Sequence, residues 1–429
     1  MLRRDFLAGA AALAAVPTLR FHAPLRVDGD RLNAALGQFN SIGRTETGIN
    51  RVAYSDLDLA GRKFTLDLFR AAGLEPRIDA AGNILGRLAG TSPSLPPILI
   101  GSHVDSVTDG GNFDGPVGSF SAIEVARSLR EQSVRLRHPL EVVVFQNEEG
   151  GTVGSKLMIG ALPGEDLEKV ARSGKTLREG IGLIGGNVAE LATAARKQGD
   201  LHCYIELHIE QGGRLEQAGL KIGVVEGIVG LHWIEVTVDG FANHAGTTPM
   251  DQRQDAMLAA AKFTVAVNDA IRSEAGRQVA TVGRLVPSPN TTNVVPGRVV
   301  LTVDLRDLSL EKLARFSSRF ERLGREIGEA TKTTFSFKRL HDSAPAMSDA
   351  RVMQWIGASA DGLGLSRQTM PSGAGHDAQE IARIAPMAMI FVPSVGGVSH
   401  SPKELTHWQD CANGADVLLR AVLEMDHVD

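Results

Sequence analysis

The sequence predicts an α/β chain in which a catalytic domain, built on a central and mostly parallel sheet, is interrupted by an inserted α+β sandwich. Three observations lead there. Short, nearly continuous apolar runs such as PPILI (96–100) and LEVVVFQ (140–146) end in polar loops, as interior strands covered on both faces do. From about Gly213 the texture changes to alternating strands, WIEVTV and VVLTVDL, which suit a sheet with one covered face. Between them the order strand, strand, helix, strand, strand, helix, strand is that of an α+β sandwich. The expected limits are 24–213 and 331–429 for the first domain and 214–330 for the insert. A length of 429 residues agrees, being too great for one small core.

The opening MLRRDFLAGAAALAAVPTLRFHA pairs Arg3 and Arg4 ahead of an alanine-rich apolar stretch ending near Val16. A charged segment followed by a short apolar one reads as a leader over residues 1–23, and the paired arginines resemble a twin-arginine export signal. The expected location is periplasmic or exported, or cytoplasmic if the leader is not used. The stretch is too short to span a bilayer, and no other run reaches that length.

Residues 31–39 read as the first helix. Residues 57–72 form a clear amphipathic one, with Leu57, Ala60, Phe64, Leu68 and Ala71 at helical spacing and Gly73 as the stop. A strand pair follows at 75–88, turning at Gly82-Asn83. The strand at 98–100 feeds GSHVDSVTDGGNFDGPVG (101–118), whose five glycines make it a loop. A helix is expected at 118–129, where Gly118 and Ser119 allow close approach to the sheet. After the strand at 140–146, helical segments are expected at 156–160, 167–177 and 188–195, then a strand at 203–209. The insert has strands at 221–229, 233–238, 279–286, 298–306 and 333–340, with helices at 255–273 and 310–330. The first domain resumes with helix 351–361, strand 388–392 and a helical region over 404–425.

Composition narrows the function. Hydrophobic residues make up 43% and charged residues 22%, an ordinary globular balance. The net charge of -5, without a basic block beyond the N-terminus, argues against a nucleic-acid partner. Cys203 and Cys411 are far apart, without metal spacing, and read as free thiols.

Histidines and carboxylates stand after or beside apolar strands four times: His103 with Asp114, Glu148 with Glu149, His208, and His400. Imidazole and carboxylate donors suit Zn²⁺ and its neighbours. A bridging carboxylate with donors on each side would make a two-metal site that activates water. Such chemistry needs one more carboxylate, free of metal, to move the proton. Glu148 and Glu149 can divide those roles, because neighbours at a strand end point in different directions.

The motifs GSHVDSVTDGGNFDGPVG, FQNEEG, ELHIEQG, FANHAGTTPM, NVVPG followed by VDLR, PSGAGHDAQ and GVSHSPKE occur in that order from about residue 30 to the C-terminus. Together they resemble the binuclear metal-dependent amidohydrolases of the zinc aminoacylase and peptidase M20 superfamily. The branch is that of hydantoinases and carbamoylases: N-carbamoyl-L-amino-acid hydrolases, allantoate amidohydrolases and β-ureidopropionases. The resemblance implies two divalent ions per subunit, Zn²⁺ or Mn²⁺, Co²⁺ or Ni²⁺. It implies His103, Asp114, Glu149, His208 and His400 as ligands, with Asp114 bridging, Glu148 as general base, and Asp105 orienting His103. It places Gln211, Asn293 and Arg306 on the substrate, with His376 and Asp377 at the ureido end of the pocket. His244 would reach the partner subunit's active site in a homodimer built through the insert, which makes the insert a lid and dimerisation domain. The implied activity is hydrolysis of a carbamoyl C–N bond in a small ureido acid, with N-carbamoyl-L-amino acids first and allantoate next. An exported peptidase or aminoacylase, and a ureido-acid-binding protein without turnover, are the alternatives. The chain departs from the resembled pattern after Glu149, where EEGGTVGSKLMIG runs on without the longer stretch and arginine-aromatic pair usual there.

Overall fold

The structure, a computed structural model, describes residues 25–427, so the expected leader lies outside the described residues. Its larger sheet has nine strands. Four of them, Leu140–Phe145, Ile98–His103, Cys203–Ile209 and Met387–Val392, lie side by side in that order and run parallel. Every residue of these four is buried, which explains the apolar runs at 98–100 and 140–146; CYIELHI, which alternates in sequence, is buried throughout as well. Ile84–Leu88 and Ile222–Ile228 pair antiparallel at the two flanks. Arg367–Ser372, a strand not anticipated from its polar RQTMPS, pairs parallel with Ile222–Ile228.

Alternate residues of the parallel strands feed two separate cores. Ile98, Ile100, Val142, Val144, Ile205 and Leu207 share one with the helices Gly29–Phe39, Pro116–Glu131 and Trp408–Met425. Leu99, Val143, Phe145, Tyr204, Met387 and Met389 face the other, against the short helix Asp377–Ile381. Gly118 is necessary to the first layer: a Cβ there would stand 2.0 Å from the Leu207 carbonyl oxygen. Both cysteines are buried and free.

The chain leaves this sheet after Ile228 and returns at Ala346, and these two residues are directly paired. Between them lies a four-stranded antiparallel sheet in the order Thr334–Ser343, Gly230–Asp239, Arg298–Asp307, Val279–Ser288. Helices Ala256–Arg272 and Leu310–Thr331 cover one face and share a core with it through Val236, Val238, Leu301, Phe263 and Phe316. The other face is open, as the alternation predicted.

Three expectations need correction. The strand expected at 221–229 belongs to the larger sheet, not the insert, and the smaller sheet takes its outer strand from beyond residue 330. IGVVEGI buries nearly every residue, the mark of an interior strand that reading by position overlooked. Residues 167–177 are mostly irregular; the helix there is Leu177–Leu183, begun by a Thr176–Glu179 capping box. The final helix starts at Trp408, not 404, because Glu404 has a different task.

Candidate metal centre and substrate cavity

Each candidate ligand sits where a strand of the parallel core runs out. His103 ends Ile98–His103, Glu148 and Glu149 follow Leu140–Phe145, and His208 is the penultimate residue of Cys203–Ile209. His400 follows Met387–Val392 beyond a turn in which Gly396 and Gly397 hold positive φ. Parallel strands end on one side of their sheet, so four distant stretches of sequence converge there. Asp114 arrives on the loop that enters helix Pro116–Glu131. Gly115, at φ 83°, lets this loop pass His103, whose ring would be 2.5 Å from a Cβ at that position. Asn147, Gln211 and His400 also adopt left-handed φ, at 50°, 56° and 52°. Such conformations persist where the surroundings over-determine them, and they gather at functional sites.

Asp114 is the hub. His103 Nε2 lies 3.5 Å and His208 Nε2 3.2 Å from its Oδ1. His400 Nε2 lies 3.3 Å from its Oδ2 and 3.5 Å from Glu149 Oε1. Two donor groups result, His103–Asp114–His208 and Asp114–Glu149–His400, which share the aspartate. His103 Nδ1 donates to the Asp105 backbone oxygen at 3.1 Å and His208 Nδ1 to that of Ile209 at 3.0 Å. A carbonyl only accepts, so each ring keeps a proton on Nδ1 and turns Nε2 toward Asp114; against burial, the surrounding carboxylates raise both imidazoles, His103 well above its ordinary value. Both Nε2 atoms are buried without a hydrogen-bond partner among the described residues. Two donors on one tetrahedral Zn²⁺, each about 2.0–2.1 Å from it, stand roughly 3.3 Å apart. The observed separations match, and these nitrogen and oxygen donors fit a divalent metal.

The charges suit a cation as well. Burial alone would raise Asp114, yet the imidazoles of His208, His103 and His400 hold it well below the usual carboxylate range. Burial lifts Glu148 well above that range; His103 opposes this, and the carboxylates of Asp377, Glu149 and Asp105 reinforce it. Glu149 is pushed up to about 7, by burial first and then by Asp114. Glu148 is outside both donor groups, with Oε2 3.7 Å from His103 Nε2.

Asp105 has two contacts at the centre. Its backbone oxygen orients His103, while its carboxylate accepts the backbone N–H groups of Glu148 at 3.2 Å and Glu149 at 3.1 Å. It therefore anchors the turn that carries both glutamates, with its own carboxylate 3.7 Å from the ring. Gln211 donates from Nε2 to Asp114 Oδ2 at 2.6 Å. His376 and Asp377, expected to line the pocket, are both buried. The His376 ring packs edge-on against His208 with centroids 4.5 Å apart, and burial beside His208 keeps it neutral.

Two residues that sequence reasoning missed complete the centre. Glu404 Oε1 accepts the backbone N–H groups of Phe113 and Asp114 at 2.8 and 3.1 Å. Ser399 Oγ stands 2.9 Å from Glu404 Oε2 and 2.8 Å from Asp114 Oδ2. Both lie within GVSHSPKE, but nothing in their spacing reveals a partner almost three hundred positions away. Glu206 is a third: fully buried, it accepts from Ser102 Oγ at 2.8 Å and from the Ala378 N–H at 3.0 Å.

A cavity of about 550 Å³ opens from Gln211, Ser399 and His400 and extends to Arg306. The Arg306 guanidinium is held by Asp304 at 3.0 and 2.8 Å and by the Gly373 oxygen at 2.7 Å. Two of its N–H groups stay available, enough for one bidentate carboxylate. His244 and Asn293 are not brought to this cavity. They are exposed on a two-stranded ribbon, Asn243–His244 with Val294–Val295, where the Ala245 N–H donates to the Asn293 oxygen at 2.9 Å.

A mostly parallel α/β sheet with two histidine and carboxylate groups that share one aspartate, each able to hold a metal ion, marks the class of candidate divalent-metal enzymes. Comparison with known proteins narrows the class. Residues 99–424 match the family model described as Peptidase family M20/M25/M40, and the chain belongs to this family. It is similar to an N-carbamoyl-L-amino acid amidohydrolase of Geobacillus stearothermophilus, 40% identical over 405 residues, covering 93% of this chain and 99% of that protein. It is 34% identical over 377 residues to an allantoate amidohydrolase of Escherichia coli, covering 86% and 91% of the two chains. Among solved structures, a hydantoinase/carbamoylase family amidase from Burkholderia ambifaria superposes with a TM-score of 0.88 at 33% identity, covering 95% of this chain and all of that one.

Proposed function

We propose that the protein hydrolyses the carbamoyl C–N bond of N-carbamoyl-L-amino acids, with allantoate the second candidate. The observation that carries this reading is the shared Asp114 centre, with two buried imidazole Nε2 atoms that have no hydrogen-bond partner among the described residues, beside a cavity that His400 and Arg306 both line. A ureido group and a carboxylate at opposite ends of a small molecule match that layout. The relatives' names point to the same bond.

In this reading His103, Asp114 and His208 hold one ion, and Asp114, Glu149 and His400 hold a second. When bound, such ions supply Lewis-acid charge that lowers the pKa of water and polarises a carbonyl. Glu148 takes a proton from the attacking water as it adds to the carbamoyl carbon, and its buried setting suits a carboxylate that must hold a proton. It then passes that proton to the amino-acid nitrogen as the C–N bond breaks. The amino acid leaves, and the carbamic acid that remains breaks its own C–N bond to give ammonia and carbon dioxide. Arg306 and Gln211 orient the substrate.

The oxyanion donor in this proposal is His244 of a second copy. Its Nδ1 accepts the N–H groups of Gly246 at 3.0 Å and Thr247 at 3.1 Å, so the ring proton sits on Nε2 and is available to a substrate oxygen. Asn293 accompanies it on the same ribbon. The residues between Ile228 and Ala346 form the lid and dimerisation unit. Support comes from Met257, Leu258 and Val265, an exposed apolar stripe at helical spacing on Ala256–Arg272. Residues 1–23 are proposed as an export leader; cell fractionation tests this, and retention of the full-length chain in the cytoplasm refutes it. Among the described residues no helix is long and apolar enough to cross a membrane.

Ammonia release by the Zn²⁺-, Mn²⁺- or Co²⁺-loaded protein tests the reading, with N-carbamoyl-L-amino acids and allantoate assayed separately. Ammonia from the first class supports it. Ammonia from allantoate alone moves the assignment to the second candidate, and none from either refutes it.

A further inference from the structure

Arg306 is one of three arginines on the substrate cavity; Arg214 and Arg277 line it too. A ureido monocarboxylate needs only one of them. Arg214 makes no side-chain hydrogen bond or ion pair among the described residues; only its backbone N–H is engaged, by Glu210. Arg277 pairs through Nη1 with Glu226, leaving Nε and Nη2 without partners among the described residues. The single carboxylate among the residues lining the cavity, Glu210, makes no ion pair with either guanidinium. Both its oxygens accept backbone N–H groups, from Arg214 and Leu215, at 2.8 Å each. The remaining wall is apolar, from Val229, Val279, Met370 and Pro371. In the proposed reading one end takes the ureido group, Arg306 takes the α-carboxylate, and the Arg214 guanidinium with the open edge of Arg277 remains on the same cavity.

We infer that Arg214 and Arg277 form an anionic subsite, so that the preferred substrates are carbamoyl derivatives of dicarboxylic amino acids, with the side-chain carboxylate between these two arginines. Guanidinium is suited to this because its planar donors match a carboxylate bidentately. The inference rests on the ureidohydrolase reading above and narrows its substrate class. The neighbouring apolar hollow of about 540 Å³ on the open face of the smaller sheet, lined by Trp233, Val279 and Leu340, is the competing place for a side chain. It lacks a cation other than Arg306, and the two walls make opposite demands on the substrate.

The test is kcat/KM, from ammonia release by the metal-loaded full-length chain, for N-carbamoyl-L-glutamate against N-carbamoyl-L-leucine. The expected ratio favours glutamate by about tenfold or more, the size of one charge-assisted hydrogen bond in a partly solvated site. Arg214→Ala and Arg277→Ala each lower that ratio, the double variant brings it near unity, and Arg277→Lys restores part of it. Leucine turned over as well as glutamate, or better, overturns the subsite and leaves the ureidohydrolase reading standing. So does a ratio that the double variant leaves unmoved, or an equal fall for both substrates, which is the sign of general attraction of anions. Glu226→Gln separates the subsite from the ion pair: it frees Arg277 and keeps the preference, and if it reproduced the Arg277→Ala loss the subsite would be wrong. Ammonia from neither substrate overturns the subsite, and allantoate, assayed alongside, then decides whether the ureidohydrolase reading stands.

Discussion

Replacing Glu404 by alanine is the sharpest test of how the centre is built. Glu404 is buried, and it receives the N–H groups of Phe113 and Asp114 together with the Ser399 hydroxyl. The hydroxyl can turn fully to Asp114 Oδ2, 2.8 Å away, so its loss is repaired locally. The two backbone N–H groups cannot turn. Each buried donor left unpaired costs about 1–3 kcal/mol, giving about 2–6 kcal/mol in all, with the lower end applying if water enters the vacated space. The loss also frees the backbone of Asp114, on which both donor groups depend. Two assays read this: the urea unfolding midpoint of the metal-free protein, and metal content per chain after equilibration with limiting Zn²⁺. Glu404→Ala is expected to lower both. Glu404→Gln, whose amide oxygen can still accept both N–H groups, is expected to retain most of each. An alanine variant within about 0.5 kcal/mol of the parent, the range of an ordinary surface substitution, and with full metal content would refute the reasoning.

Other tests address the proposed chemistry. Glu148→Gln should bind metal as the parent does and lose turnover by about 10²–10⁴-fold; near-normal turnover would show that the base lies elsewhere. Arg306→Ala should harm carboxylate-bearing ureas more than uncharged ones, measured as the ratio of kcat/KM values, and equal losses would remove the salt bridge from the scheme. Removing metal with a chelator should abolish ammonia release and re-addition should restore it; activity that survives with no metal detected would end the metal-dependent reading. Mixing Glu148→Gln with His244→Ala chains should recover activity, since each mixed dimer then holds one complete site, to roughly a quarter of the parent level at random association. No recovery would place His244 outside the partner's chemistry.

Much of the fold was legible because burial leaves a periodic trace. The parallel strands at 98–100 and 140–146 showed as apolar runs, the smaller sheet as alternation, and its two helices as long helical stretches. Ile222–Ile228 and Arg367–Ser372 were misplaced or missed because pairing partners, not periodicity, assign a strand to a sheet. At the centre, residue type and motif order named the candidate donors, since imidazole and carboxylate chemistry belongs to the side chain wherever it sits. That His103, Asp114, Glu149, His208 and His400 stand within a few ångströms of one another is a property of parallel strands ending on one side.

By itself, then, the sequence determined which elements form and which side chains can ligate, accept protons or grip a carboxylate, because these are local properties of the chain. Only the tertiary structure decided that the Asp105 carboxylate anchors the glutamate turn as its backbone oxygen orients His103, that Glu404 holds Asp114, that His376 lies buried beside His208, and that Arg214 and Arg277 share a cavity with Arg306. Those facts depend on how backbone N–H groups, burial and charge from remote segments meet, and packing alone brings such segments together.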